Sequence, residues 1–181
     1  MGQRLNIEIT DGEDVLANAY YHWSAYTLSS FYILKDIIDH YYDDVQAPTI
    51  KFAVHLLEQT GAGINKEEKA RILEAWPEQY FVINFKDCTD RNIGLLSVTK
   101  SGIAETRYWE EGRIEIDIKN EKVMFGVFSE YLIDDFEAET DELLEELPVF
   151  HFDFSDIPFD RVYEIENIIE TFPTYYKDEV D

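Results

Sequence analysis

Two segments of strictly alternating side chains constrain the fold of this chain more than any other feature. Residues 3–9 alternate between apolar and polar side chains, with Leu5, Ile7 and Ile9 on the apolar side. Residues 113–118 alternate in the same way. A period of two residues is typical of a β-strand with one face in a core and the other toward a polar environment. The chain is therefore predicted to build a sheet that needs other elements to cover its apolar face.

Turn residues follow both alternating segments and predict two β-hairpins. Asp11-Gly12 comes directly after the first segment and is a hairpin turn signal, so residues 15–23 are predicted to return as the partner strand. In the second half, residues 119–122 join the strand over 113–118 to a further alternating run over 122–128.

Helical spacing of apolar side chains predicts three helices between the two hairpins, over residues 28–43, 48–59 and 66–75. Pro48 suits the first turn of the second helix, and the Gly61-Ala62-Gly63 segment is a stop signal at its end.

The second half of the sequence contains five further predicted segments. They are short apolar runs at 80–85 and 93–99, a helix over 101–111, a strand over 149–154 and a terminal amphipathic helix over 158–172. The predicted fold class is α+β, with an N-terminal β-hairpin, a helical middle and an antiparallel β section with a C-terminal helix. A length of 181 residues fits a single domain over 1–181, since domains commonly have about 100–200 residues.

The charge of the chain limits the partners that it can bind. There are 39 acidic residues against 15 Lys and Arg, which gives a formal net charge of −24. Small soluble domains more often have a net charge of about 2–8 in magnitude. The 12 Tyr, 12 Phe and 3 Trp exclude an acidic disordered tail, because such tails lack aromatic side chains. This negative field repels DNA and anionic membranes, so we expect a basic protein as partner and no direct contact with nucleic acid or membrane.

The single cysteine, Cys88, excludes an intramolecular disulfide and fits a reducing compartment. The N-terminal residues have no basic and then apolar signal segment, and no apolar run reaches the roughly 20 residues of a membrane span. We expect a cytoplasmic protein.

An acidic segment without bases is the predicted binding site. Residues 123–160 contain 12 acids and no Lys or Arg, so ion pairing within the segment is excluded. Carboxylates at helical spacing lie about 5–6 Å apart and could imitate a row of phosphates. The predicted partner-binding residues are Glu130, Asp134, Asp135, Glu137, Glu139, Asp141, Glu142, Glu145 and Glu146. Such a surface would occupy the basic groove of a nucleic-acid-binding protein. The alternative interpretation is a solvated acidic face without a partner.

Motifs for catalysis are weak. His151 and Asp153 would share one face of a strand near Asp156, which could form a weak metal site, but a surface strand residue is the simpler interpretation. Cys88 has no CxxC partner and the chain has no Gly-rich phosphate loop. We predict no metal, no cofactor and no catalytic residue. A metal-dependent hydrolase using surface carboxylates remains an alternative, as does an accessory protein whose charge only keeps it soluble.

Three segments carry a resemblance to a group of known proteins: MGQRLNIEI, LANAYYHWSAYT and RNIGLLSVTKSGIAETRYWEEGRIEIDI. The chain resembles small acidic proteins carried by phages and prophages of low-GC Gram-positive bacteria, over most of its length. These segments contain no catalytic signature. The resemblance implies an inhibitor of a host defence nuclease, similar to anti-CRISPR proteins, with a CRISPR effector nuclease as the partner and the cytoplasm of the infected cell as the site of action.

Overall fold

The computed structural model describes residues 4–22, 24–25, 27–64, 66–75, 95–97, 112–127, 149–157 and 174–175. Within these residues the fold is α+β, as predicted: one sheet with helices packed on it. The strands are β1 Leu5–Thr10, β2 Val15–Tyr21, β3 Leu95–Ser97, β4 Gly112–Asp117, β5 Lys122–Val127, β6 Val149–Asp153 and β7 Thr174–Tyr175. The helices are α1 Thr27–Asp43, α2 Ile50–Gln59 and α3 Lys66–Ala75, and a 3₁₀ turn covers Phe154–Asp156.

The sheet is mixed and joins both halves of the chain. Its strand order is β3-β2-β1-β4-β5-β6-β7. Among these described strands, β1 and β4 are parallel and the other neighbouring pairs are antiparallel. Both predicted hairpins, β1–β2 and β4–β5, are confirmed. The second half was predicted as an antiparallel section, and its strands are antiparallel to one another. The parallel contact with the N-terminal hairpin was not predicted.

Matching hydrophobic patterns explain the parallel contact between β1 and β4. Ile7 pairs with Ile114 and Ile9 with Ile116, and all four side chains are fully buried. A shift of one residue would turn the isoleucines of one strand to the opposite face, so burial fixes the register. The two alternating segments of the sequence therefore lie side by side at the centre of the sheet.

The helices α1 and α2 cover the apolar face of the sheet. Phe31 of α1 meets Phe125 of β5 edge to face, with 5.8 Å between ring centroids. At the other end of α1, Tyr41 packs against Phe154 and Phe52 at 5.1 and 6.0 Å. Aromatic pairs at such distances add about 0.5–1.5 kcal/mol each beyond the area that they bury.

The predicted boundaries of the helices are close to those in the structure, with one correction. The helix α2 begins at Ile50, not at Pro48, because Thr49 is its N-cap and accepts a hydrogen bond from the backbone N–H of Phe52 at 3.2 Å. Its end is confirmed: Gly61 adopts a φ of 88°, a left-handed conformation that terminates a helix. Pro48 therefore lies before the cap instead of within the first turn.

Several predicted segments lie outside the described residues. They are the apolar run at 80–85, the helices over 101–111 and 158–172, and the acidic segment over 130–147. The run at 93–99 contains β3, and the strand predicted over 149–154 is β6. The division into a single domain stays a prediction.

The tips of the two hairpins lie against each other at Gly12. This residue has a φ of 87°, and a Cβ atom placed on it would lie 2.7 Å from Nδ2 of Asn120 and 3.1 Å from Oδ2 of Asp117. The Asp11 carboxylate holds the first turn by accepting hydrogen bonds from the backbone N–H groups of Glu13 and Asp14. Position 12 therefore needs glycine for its backbone angle, and a larger residue would also displace the end of the exposed Asn120 side chain.

We predict that Gly12→Ala lowers the free energy of unfolding by at least about 1–2 kcal/mol, the cost of a left-handed backbone for an L-residue, because the contact with Asn120 adds to it. Glu13→Ala, in the same exposed turn, is the matched control and should change stability by less than about 0.5 kcal/mol. Urea denaturation of the three proteins measures both values. Equal stability of Gly12→Ala and the control would show that residue 12 does not adopt this left-handed conformation.

A second contact ties α1 to the β4–β5 turn. The Tyr41 hydroxyl donates a hydrogen bond to Oε1 of Glu121 at 2.9 Å, and the backbone N–H of Phe154 donates to the Glu121 carbonyl at 2.8 Å. Glu121 has a φ of 55°, which is uncommon for a residue other than glycine. Burial, and then the hydrogen bond and negative charge of Glu121, raise the pKa of Tyr41 to about 12.

This pKa predicts a loss of stability in alkali. An unfolded tyrosine ionises near pH 10, so the folded state keeps the Tyr41 proton that the unfolded state loses. The free energy of unfolding should therefore fall as the pH rises from about 10 to about 12. In Tyr41→Phe the fall should be smaller, although Tyr21, whose pKa burial also raises, keeps part of it. Denaturation at a series of pH values checks this, and identical pH profiles would contradict it.

Candidate binding surfaces

The nine carboxylates predicted as the binding site, Glu130 to Glu146, all lie outside the described residues. Their assembly into one surface stays a prediction. Two other acids of the same base-free segment, Asp153 and Asp156, are described, and both are exposed. The structure describes two further groups of acidic side chains, one on α1 and one on the polar face of the sheet.

The outer side of α1 carries a row of carboxylates, here called the acidic face of α1, which consists of Asp36, Asp39 and Asp43. All three side chains are exposed. Their spacing of three and four residues places them one above the other on a single side of the helix, about 5–6 Å apart. The opposite side of α1 is buried, with Leu34 and Ile37 fully inaccessible. The row is therefore fixed in direction by the packing of the helix on the sheet.

Aromatic side chains flank the acidic face of α1. Tyr32 lies one turn before Asp36 and is 43% exposed, and Tyr42 beside Asp43 is 50% exposed. Lys35 forms an ion pair with Asp39. Val45, just after the helix, is 59% exposed. Tyrosine next to charge is frequent in protein interfaces, because its ring covers apolar area while its hydroxyl stays solvated.

The position of these carboxylates is unfavourable for helix stability. The C-terminal end of a helix carries a partial negative charge, which disfavours anions in the last turn. Asp43 is the last residue of α1, and Asp44 follows it directly. Carboxylates spaced by four residues, such as Asp39 and Asp43, also repel each other. The sequence therefore keeps charge at a place where it reduces stability.

The second group lies around a cleft of about 510 Å³ on the polar face of the sheet, away from α1. Its lining residues are Glu115, Asp117, Lys122, Val123, Met124, His151, Phe152, Asp153 and Asp156. The strand register places six of these residues in two rows across β4, β5 and β6. Glu115, Met124 and His151 form one row, and Asp117, Lys122 and Asp153 form the other.

The carboxylates of the cleft differ in how far the fold already uses them. Asp117 accepts hydrogen bonds from the backbone N–H groups of Lys119 and Asn120 and from the Asn120 amide, so it serves the β4–β5 turn. Asp156 accepts one from the Ser155 hydroxyl at 3.2 Å. Asp153 precedes the 3₁₀ turn, and its side chain does not cap that turn. Asp153 is therefore the carboxylate of the cleft with the smallest structural role.

The weak metal site considered from the sequence can be compared with this geometry. His151 and Asp153 line the same cleft, as their alternation predicts, and Asp156 is near them. Among the described residues, however, no group of three or more His, Cys, Asp or Glu is placed so that it could hold a metal ion. The same part of the chain contains no helix that is both long and apolar enough to cross a membrane.

The sequence contained a signal for the acidic face of α1. Asp36, Asp39 and Asp43 stand at helical spacing within the helix predicted over 28–43. Lys35, their neighbour in sequence, gives this part of the chain the appearance of an ordinary segment with mixed charges.

Comparison of the chain with protein families, with curated proteins and with solved structures found no match.

We predict that Asp43→Asn raises the free energy of unfolding by about 0.3–1 kcal/mol at low ionic strength, because it removes an anion from the C-terminal end of α1. The gain should shrink in high salt, which screens exposed charges. Glu67→Gln is the matched control: Glu67 is exposed in the first turn of α3, where a carboxylate is favourable, so its neutralisation should reduce stability. Denaturation at two salt concentrations measures both. A loss of stability in Asp43→Asn would contradict the electrostatic argument.

Proposed function

We propose that this protein binds a basic, nucleic-acid-binding protein and occupies its groove with carboxylates, as an inhibitor of the anti-CRISPR type that acts in the cytoplasm of a phage-infected cell. The observation that carries the proposal is the acidic face of α1, a row of exposed carboxylates with aromatic side chains beside it. The formal net charge of −24 supports it, because a field of this size attracts cationic surfaces.

The charge density of α1 suits part of such a groove. At a rise of about 1.5 Å per residue, Asp36, Asp39 and Asp43 are spaced by roughly 4.5 and 6 Å along the helix axis. A single DNA strand carries one phosphate per about 3.4 Å, and a duplex one charge per about 1.7 Å. Because Asp39 is already paired with Lys35, the charge density of the row stays below that of one strand and well below that of a duplex. Further carboxylates are needed, and the nine between Glu130 and Glu146 are the proposed source.

The alternative functions lack a specific supporting observation. A metal-dependent hydrolase needs ligands that converge, and the described part of the chain has no such group. An accessory protein with merely solubilising charge needs no charge at the C-terminal end of a helix, where it lowers stability. The identity of the partner distinguishes these possibilities. An inhibitor should bind a protein with a basic groove, whereas a protein that is only acidic should bind none.

The test is capture of proteins from a Gram-positive host lysate on the immobilised protein, followed by elution with a DNA duplex or with salt. We expect a nucleic-acid-binding protein that both agents release, because duplex and carboxylates compete for one groove. The double variant Asp36→Lys, Asp43→Lys should reduce its retention at least tenfold.

The matched control for this test is Glu67→Lys, Glu74→Lys, which changes the net charge equally on two exposed positions of α3. It should retain most of the binding if the acidic face of α1 contacts the partner. Equal losses in both double variants would assign the effect to net charge alone. Failure of duplex DNA to release any captured protein would refute the proposed competition.

A further inference from the structure

The cleft between β4, β5 and β6 combines charge with one apolar side chain, that of Met124, which distinguishes it from an ordinary solvated acidic surface. Its volume of about 510 Å³ lies within the range of about 300–1,000 Å³ that is usual for ligand pockets. Met124 contributes the apolar side chain of its lining, because the side chains of Val123 and Phe152 are buried in the core on the opposite face of the sheet. Met124 is only partly buried and stands on the polar face between Glu115 and His151.

The charges that the described residues bring to the cleft are predominantly negative and surround Met124. Among these residues, four carboxylates line the cleft together with one ammonium group, that of Lys122. The register places Lys122 between Asp117 and Asp153, yet within the described part of the chain no ion pair of 4 Å or less joins it to either. Because Asp117 already accepts hydrogen bonds within the β4–β5 turn, Asp153 and Asp156 are the carboxylates best able to bind a cationic group of another molecule.

This combination fits the side chain of arginine. Its three methylene groups need apolar contact, and its planar guanidinium needs carboxylate acceptors, which it can bind through two parallel hydrogen bonds. A thioether is adaptable and packs well against such a chain. Lysine would gain less, because its ammonium is compact and strongly hydrated.

We propose that the cleft receives an arginine side chain that projects from the basic partner protein, with its methylene groups on Met124 and its guanidinium at Asp153 and Asp156. This inference rests on the proposed function and adds a second contact to it, on the side of the sheet away from α1. The acidic face of α1 and the cleft lie on different sides of the sheet. One partner could therefore bind the first through its groove and the second through a flexible arm that carries the arginine.

Methionine methyl NMR tests the cleft directly. The chain has two methionines, Met1 and Met124, so labelling the methyl groups gives one signal from the cleft and one from the N-terminus. The probe is N-acetyl-arginine amide. We expect a saturable shift of the Met124 signal, with the Met1 signal as internal control. N-acetyl-citrulline amide, which has the same shape without the charge, should bind at least tenfold more weakly.

Two variants complete the experiment. Asp153→Asn should weaken arginine binding at least fivefold and should fold normally, because the Asp153 side chain does not cap the adjacent turn. Glu67→Gln, on α3, should leave it unchanged. A linear shift, or equal shifts with arginine and citrulline, would overturn the arginine site while leaving groove binding by α1 intact. If arginine binds saturably but DNA releases no captured protein, the proposed function is refuted and the arginine site is retained.

Discussion

The parallel contact between β1 and β4 is the interaction on which the rest of the structure depends. It joins the N-terminal hairpin to the strands of the second half, and its isoleucines form the centre of the apolar face on which α1 and α2 pack. Because α1 is buried on one side against this face, its carboxylates are held in a fixed direction. The same pairing fixes the polar face, so that Glu115 and Asp117 of β4 come to line the cleft. Both proposed binding surfaces therefore follow from one register.

The distribution of charge lowers the stability of the folded protein in two ways. A charge of −24 repels itself in a compact state, and carboxylates at the end of α1 oppose the helix dipole. A partner with a basic surface would relieve both effects at once, since it neutralises the charge where repulsion is strongest. The proposed binding would therefore offset a local loss of stability in α1. The cleft adds shape to this charge, because Met124 provides an apolar contact among ionised groups.

Local structure was predictable from the sequence, whereas long-range pairing was not. The alternation of residues 3–9 and 113–118 and the turn at Gly12 predicted both hairpins, and helical spacing predicted α1, α2 and α3. Periodicity does not say which strands become neighbours, so the parallel β1–β4 contact was missed. The start of α2 was predicted two residues too early, at Pro48, because the N-cap of the helix is Thr49. The cleft could not be foreseen, since its residues come from three strands that only the sheet brings together, and the sites over 130–146 stay predictions.

The central claim, that exposed carboxylates of α1 contact a nucleic-acid-binding groove, is tested most directly by zero-length cross-linking of carboxylates to lysines in the captured complex. We predict amide cross-links from Asp36, Asp39 or Asp43 to lysines that line the nucleic-acid groove of the partner, and their loss when duplex DNA is present. Cross-links that come only from other parts of the chain, or that persist undiminished with DNA bound, would contradict it.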